Sequence, residues 1–592
     1  LSWLLKEELQ EILRKEEGAI VFPPGSRNGF ALIYPNSYYV GMSNLGFHII
    51  YKSINNRQDT ACERLFLPDK KSEHEYSRTN TPLMTIETQR PLYEFPLIGF
   101  AVTFEMDYFN ILKILTMGKV PLLARDRTER DPFVMIGGPC ATFNPEPLAE
   151  FVDLCIIGEG EEVIHNILDT YYLAKNQGLS RREILLALAQ IKGVYVPLFY
   201  EPQYNENGTI ASIKAAPGVP TTIYRRWVEK LDDFKAQTVI LTSNTEFGNM
   251  FLIEIARGCG RHCRFCMAGY CFRRPRIRSL ANIKRALYEA KTVHTKVGLM
   301  GAAISDHPDI DAICETVLAE HMTMSVASLR ADSLTPRLVH ALAASNHKTV
   351  TLAPEAGSAR MRRVINKGIT DEHVYEGVRM AIQAGIPHIR LYIMIDLPFE
   401  EDEDIEQIVT MANTVKTYMQ ELGSKGKLTL SINPFIPKPF TPFQWLPVSS
   451  LSVVENKLKY IQAALKKKKN IEVLIESPKE GHLQGILARG DRRLGKSLLK
   501  AHELGGYRHF KRAMRETGLT EDFYLYRQRH KDEVFPWHHL HMGFDPEYLW
   551  NELQRAKAEK GTSPCQAGCV RCGVCKRKEE AKLNGDILVT SP

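Results

Sequence analysis

Residues 254 to 271 read EIARGCGRHCRFCMAGYC. Behind the apolar run FLIEI at 251, Cys259, Cys263 and Cys266 fall at C-x3-C-x2-C. Three thiolates so spaced can ligate three irons of a cubane iron–sulfur cluster and leave the fourth iron open to a substrate or cofactor. Half of a zinc site is the bland alternative. It needs a fourth ligand, and His262, inside the motif, is poorly placed to close a tetrahedron.

Outward from the motif, six apolar runs separated by helical segments fill residues 250 to 445: FLIEI at 251, KVGLMG at 296, MSVASL at 324, TVTLA at 349, IRLYIMI at 389 and LTLSI at 428. Repeated strand–helix units of this length imply parallel strands, and six in place of eight imply an open, partial (β/α)6 barrel. The polar segments follow the strands. The three cysteines come after the first, GAAISDHP after the second, APEAGS with the fourth, DLPFEEDED after the fifth and PFIPKPFTPFQW after the sixth. The carboxyl-terminal rim of the barrel is therefore where the chemistry is expected.

Upstream, ALIY at 31, PLIGFAV at 96, FVMIGG at 133 and LCIIGEGE at 154 alternate with the helical patterns DYFNILKILTMG and EEVIHNILDTYYLAK. Buried parallel strands covered by helices make a doubly wound, Rossmann-type α/β sheet. Its glycines at strand ends, Gly137, Gly138, Gly158 and Gly160, suit close approach of a ligand. The expected organisation is an amino-terminal helix plus this domain over 1–200, a connector over 201–245, the partial barrel over 246–447, a helical region over 448–560 and a Cys-rich tail over 561–592. In the first segment, Leu5, Leu9, Ile12 and Leu13 share one face, as in a docking helix.

The 592 residues are 44% hydrophobic and 24% charged, as in an ordinary globular protein. A net charge of +7 over this length does not indicate nucleic acid. No run of eighteen apolar residues appears, so a cytoplasmic protein with no membrane contact is expected; its start at Leu1 reads as a trimmed sequence. Of twelve cysteines, Cys62, Cys140, Cys155, Cys271 and Cys314 are scattered and read as buried hydrophobes. The other seven form the motif above and the group Cys565, Cys569, Cys572 and Cys575, spaced C-x3-C-x2-C-x2-C. Four thiolates suit either a second iron–sulfur cluster, which would store or pass an electron, or zinc. His538, His539 and His541 are a further ligand source on paper, but His and aromatic residues near a domain junction usually pack.

With Phe265 as its aromatic, C-x3-C-x-aromatic-C after the first strand of a partial barrel resembles the radical S-adenosylmethionine superfamily. The resemblance implies a 4Fe-4S cluster whose open iron chelates S-adenosylmethionine, one-electron cleavage to a 5′-deoxyadenosyl radical, an anaerobic setting, and a flavodoxin- or ferredoxin-type electron donor. LAPEAGSARMRRVINKG at 352 resembles the family's strand-four segment, implying that Glu355 and Ser358 face the cofactor. The usual Gly-Gly-Glu after strand two is replaced by LMGAAISD, which leaves Met300, Gly301 or Ser305 for the cofactor's amino group. Asp396 stands where glycine is common after strand five.

IGGPCATFNPEPLAEFVDLCIIGEGEEV resembles the second half of the cobalamin-binding domain that precedes many of these enzymes. It implies that Thr103, Gly137 and Gly138 line the cobalamin nucleotide tail. The Asp-x-His-x-x-Gly expected after the first strand is missing, and His48 does not fit it. Either cobalamin binds without a protein ligand or the domain is an unoccupied scaffold. The function implied is methyl transfer to an unactivated carbon of an unknown substrate. The alternatives are radical rearrangement, cyclisation or sulfur insertion, and a non-catalytic cobalamin or iron–sulfur electron carrier.

Overall fold

The computed structural model describes residues 2–293, 296–566 and 568–575; residues 576–592 of the expected tail lie outside the described residues. The amino-terminal domain is built on one six-stranded sheet. Its strands are β1 (Asn28–Tyr34), β2 (Thr60–Phe66), β3 (Leu97–Ala101), β4 (Phe133–Gly137), β5 (Leu154–Ile156) and β6 (Val194–Tyr195), in the order β2-β1-β3-β4-β5-β6. The first five are parallel and β6 is antiparallel. This is a doubly wound order whose switch point lies between β1 and β3, where such sheets bind ligands at their carboxyl ends.

Four of these strands are the expected apolar runs. The strand β2 escapes the run-based reading because its sequence, TACERLF, carries two charges, and both are buried. Arg64 there pairs at 2.6 Å with Glu16 and at 2.6 Å with Glu87, so the guanidinium is neutralised within the core. The leading helix Trp3–Arg14 docks as its pattern predicts, with Leu5 buried and Leu9, Ile12 and Leu13 packed against the same core.

All six barrel runs form parallel strands: Phe251–Glu254, Lys296–Met300 and Thr323–Ser325 in one sheet, and Thr349–Glu355, His388–Ile395 and Leu428–Pro434 in a second. A parallel bridge from Leu329 to Leu352 joins the two sheets. The second sheet gains a fourth strand, the barrel's seventh, Ile471–Ile475, parallel to Leu428–Pro434. Residues 451–475, expected within the helical region 448–560, therefore add one more helix–strand unit. The helix Leu451–Leu465 buries Val454, Leu458 and Ile461 in the barrel core.

The connector is woven into both neighbours. Tyr200–Tyr204 and Ile210–Ala215 form an antiparallel hairpin, and Ile223–Tyr224 pairs in parallel with Leu540–His541. His48 anchors the segment that follows. Its Nδ1 accepts from the backbone N–H groups of Val239 (3.3 Å) and Ile240 (3.4 Å), and its Nε2 donates to the Met42 carbonyl at 3.0 Å. Burial pushes the His48 imidazole down to about 4, which keeps the acceptor nitrogen unprotonated. The helices Pro478–Arg489, Leu494–Glu503 and Phe510–Glu516 return to the amino-terminal core through Ile486, Leu498 and Phe510.

Candidate functional site

The three-cysteine loop leaves the first barrel strand through Gly258. At φ +77°, with the Phe272 carbonyl oxygen 2.2 Å from where a Cβ would sit, only glycine fits. The loop is then pinned from beneath by Arg264, which is fully buried. Its backbone N–H bonds the Ile365 carbonyl (2.9 Å), and its guanidinium donates to the carbonyls of Val364 (2.8 Å) and Lys560 (2.7 Å) and pairs with Glu552 (3.2 Å).

Cys263 is buried and Cys259 and Cys266 are half-buried. Burial first, then the field of Cys263, pushes up the Cys259 thiol; the same causes together with Cys259 push Cys266 up to about 12. The three sulfurs thus lie in one another's field, although among the described residues no three ligand-type side chains converge as a closed metal-binding group. Two buried cations face them. Arg330 Nη1 is 3.9 Å from Cys263 Sγ, and Lys367 lies 6.0 Å from the centre of the Phe265 ring. Burial lowers the Lys367 ammonium, but Glu355, at 3.0 Å, and Cys263 outweigh it and hold the group above its ordinary value. Three thiols with two buried cations fit an anionic cluster, whose negative charge would otherwise be costly in this setting.

The positions implied by resemblance divide. Glu355, with φ +68°, holds Lys367 and so acts beside the cluster loop. Gly301 lies on the wall of a cavity between the two domains. Ser305 and Ser358 are engaged elsewhere: the Ser305 hydroxyl bonds Ser333 (2.8 Å), and Ser358 caps a helix by accepting from the Met361 N–H (2.9 Å) while donating to Asp404 (2.5 Å). Arg261, between Cys259 and Cys263, pairs with Asp306 at 2.5 Å and Asp332 at 3.1 Å, tying the loop to the segments after the second and third strands. The roles of Arg330, Lys367 and Arg261 carry no local sequence pattern; charges just beyond barrel strands are the signal that could have raised them.

A cavity of about 510 Å³ opens between the two domains. From the first sheet it is lined by Leu32, Gly99, Ala101, Thr103, Gly137 and Gly138 at the carboxyl ends of β1, β3 and β4; from the barrel, by Ala256, Gly258, Ala268, Phe272, Met300 and Gly301. The volume lies in the range of small-molecule sites. An added Cβ at Gly137 would meet only Ile156, at 3.8 Å, so that strand end presents bare backbone to the cavity. Gly138 cannot be replaced without strain, with φ +99° and the Val102 carbonyl oxygen at 2.8 Å. Thr103 Oγ1 is hydrogen-bonded to Tyr34 at 2.6 Å on the same wall.

Arg257 stitches the cavity's halves together, reaching Glu159 (3.0 Å) and Glu161 (2.6 Å) of the first domain and Glu254 (2.8 Å) of the barrel. Burial raises the Glu159 carboxyl, but Arg276 and Arg257 more than reverse this and hold it ionised below the usual range. Neither ring nitrogen of His48 is free to ligate a metal, in line with the missing Asp-x-His-x-x-Gly.

The tail returns to this centre. Cys565 donates its backbone N–H to the Gly260 carbonyl (2.8 Å), inside the three-cysteine motif, and Thr562 and Asn366 bond reciprocally at 2.7 Å and 3.0 Å. Burial raises the Cys565 thiol, Arg273 lowers it, and Cys572, Cys569 and Cys575 raise it again, so the four tail sulfurs also share one field. The neighbouring His539 packs at 4.5 Å centroid distance against Tyr195, and His541 accepts from the Gly543 N–H, as expected of packed histidines.

Two family models match: Radical SAM proteins, N-terminal, over residues 46–197, and Radical SAM superfamily over residues 253–412. An uncharacterised protein of Methanocaldococcus jannaschii is 30% identical over 474 residues, covering 79% of this chain and 90% of that one. An uncharacterised methyltransferase of Pyrococcus horikoshii is 26% identical over 298 residues, 47% of this chain and 57% of that one. Among solved structures, the radical S-adenosylmethionine methyltransferase TsrM from Kitasatospora setae, with cobalamin and a 4Fe-4S cluster bound, aligns with a TM-score of 0.44 at 14% identity, over 69% of this chain and 72% of that one.

Proposed function

The chain belongs to the radical S-adenosylmethionine superfamily, and on that premise we propose that it is a cobalamin-dependent methyltransferase acting on an unactivated carbon. The observation that carries this reading is the single cavity lined on one side by the bare-backbone strand ends Gly137 and Gly138 and on the other by the base of the three-cysteine loop. Cys259, Cys263 and Cys266 would hold the 4Fe-4S cluster and the strand ends the cobalamin; when bound, the first supplies one-electron cleavage of S-adenosylmethionine and the second methyl transfer.

The chain's own residues do the rest. Arg330 and Lys367 offset the negative charge at Cys263, and Glu355 keeps Lys367 in place. Leu32, Ala101, Met135 and Phe272 give this cavity an apolar wall on which a substrate's carbon skeleton could pack. With both nitrogens of His48 engaged, cobalamin would lie in this cavity without a histidine ligand. Reduction would come from a flavodoxin- or ferredoxin-type donor in an anaerobic cytoplasm; no helix among the described residues is long and apolar enough to cross a membrane.

Cys62, Cys140 and Cys155 are buried within the amino-terminal core on β2, after β4 and on β5, which does not favour a second, amino-terminal cluster of the kind sulfur-inserting radical enzymes carry. The test is a turnover assay on protein reconstituted anaerobically with iron, sulfide and hydroxocobalamin. Methyl transfer requires S-adenosylhomocysteine together with 5′-deoxyadenosine; 5′-deoxyadenosine alone would assign the enzyme to rearrangement or cyclisation instead.

A further inference from the structure

His262, buried between two of the motif cysteines, is not spent on the loop's own fold: its Nδ1 lies 2.6 Å from the Tyr548 hydroxyl and its Nε2 3.2 Å from Cys565 Sγ of the tail. Arg273 Nη1 in turn lies 3.1 Å from the same Tyr548 oxygen. A guanidinium can only donate, so the Tyr548 oxygen accepts from Arg273 and keeps its own proton available for His262 Nδ1, 2.6 Å away. With that proton directed at the Nδ1 lone pair, the imidazole carries its own at Nε2, which lies 3.2 Å from the Cys565 sulfur. The chain Arg273–Tyr548–His262–Cys565 in this arrangement presents an N–H donor to a sulfur and so stabilises negative charge on it.

Arg273 carries a second sign. It is 1% exposed and lies over the rings of Tyr270 (5.0 Å) and Tyr548 (5.5 Å), and its Nε and Nη2 have no hydrogen-bond partner among the described residues. A buried guanidinium with two unused donors is a standing cost unless an anion sits beside it. Its field reaches the tail sulfurs of Cys565, Cys572 and Cys575 as well as the nearby buried Cys271. Gly260 lets the tail close in: a Cβ there would be 3.2 Å from that of Cys565.

We propose that Cys565, Cys569, Cys572 and Cys575 hold a second iron–sulfur cluster seated directly against the loop of the first, with His262 as the N–H donor to its Cys565 sulfur and Arg273 as its buried counter-charge. An N–H···S bond and a buried cation both stabilise the extra negative charge of a reduced cluster, and so favour a centre that changes charge over a zinc that does not. Such a centre takes one electron from a ferredoxin- or flavodoxin-type donor, which is oxidised by one electron, and it sits one residue's contact from the motif that must be reduced. The inference rests on the proposed function only in taking the three-cysteine loop as a cluster site.

The test is metal analysis and electron paramagnetic resonance of the anaerobically reconstituted full-length protein, in the wild type, in Cys569→Ala and in the triple variant Cys259→Ala/Cys263→Ala/Cys266→Ala. The wild type is expected to carry about eight irons and each variant about four, with a different reduced signal in each. In the triple background, His262→Leu and Arg273→Met are each expected to move the midpoint potential of the remaining centre to more negative values. Two results would overturn the proposal: a wild type with about four irons and about one zinc, a count that needs no variant to fold, or a tail centre whose potential ignores both substitutions. Iron retained by the triple variant would uphold the tail centre even if the loop's assigned role failed.

Discussion

Gly137→Leu separates the cavity's role as a cofactor site from its role in the fold. Gly137 ends β4 with no positive φ, lines the space of about 510 Å³, and a Cβ there meets only the Ile156 side chain at an ordinary 3.8 Å, so a larger residue starts from an unobstructed position on the cavity wall. Replacing a strand glycine removes an entropic cost of about 0.5–1 kcal/mol, so the melting temperature is expected to hold or rise. A ligand that needs the filled space suffers overpacking of about 1–3 kcal/mol, which is roughly 5- to 150-fold in Kd. The assay is titration of the iron-reconstituted protein with hydroxocobalamin, followed by its visible absorbance after desalting. Loss of corrin with iron content and melting temperature at wild-type level is the expected result. Corrin affinity equal to the wild type in a well-folded Gly137→Leu would refute the assignment of this cavity. Gly138→Leu is the contrasting case: φ +99° and the Val102 oxygen at 2.8 Å make it a folding defect, visible as a lowered melting temperature.

Other consequences are equally open to measurement. Lys367→Met leaves the half-buried Glu355 without its partner; a stability loss of about 1–3 kcal/mol in denaturant is expected, with a more negative potential for the loop's cluster, and an unchanged potential would remove Lys367 from the site. Gly258→Ala forces a Cβ to within 2.2 Å of the Phe272 oxygen, so iron loading at the three-cysteine loop should fall well below the wild type while the first domain still melts cooperatively. His48 is held at about 4 against an ordinary 6.5. The unfolded chain therefore binds the extra proton between these values, and stability is complete above pH 6.5 and declines as pH falls towards 4, by about 3 kcal/mol in total. Denaturant titrations at pH 7 and pH 5 check this, and His48→Gln should flatten that part of the profile.

The sequence is most legible where burial is complete and chemistry is local. Continuous apolar runs mark the parallel strands of both domains because strands covered on both faces need them. The strand Thr60–Phe66 hides because Glu63 and Arg64 point inward to partners far along the chain. Ile471–Ile475 hides because it follows the basic run at 466–469 and its short apolar run is broken by Glu472. The cysteine motif is readable because its ligands lie within eight residues, 259 to 266. Arg330 is not, since its contact with Cys263 spans 67 residues, and the meeting of His262 with Cys565 spans 303. Ser305 and Ser358 show the converse: a motif position fixes where the backbone goes, whereas the hydroxyl bonds whichever partner the neighbouring elements supply, here Ser333 and Asp404.

The most direct measurement is formation of 5′-deoxyadenosine from S-adenosylmethionine by the reduced, iron-reconstituted protein, compared with Cys263→Ala. Cys263 is the buried member of the trio and the one that Arg330 faces. The account predicts 5′-deoxyadenosine from the wild type and none above background from Cys263→Ala, with the tail's iron still present. Cleavage that survives in Cys263→Ala, or its absence from a wild type carrying its full iron, would contradict it.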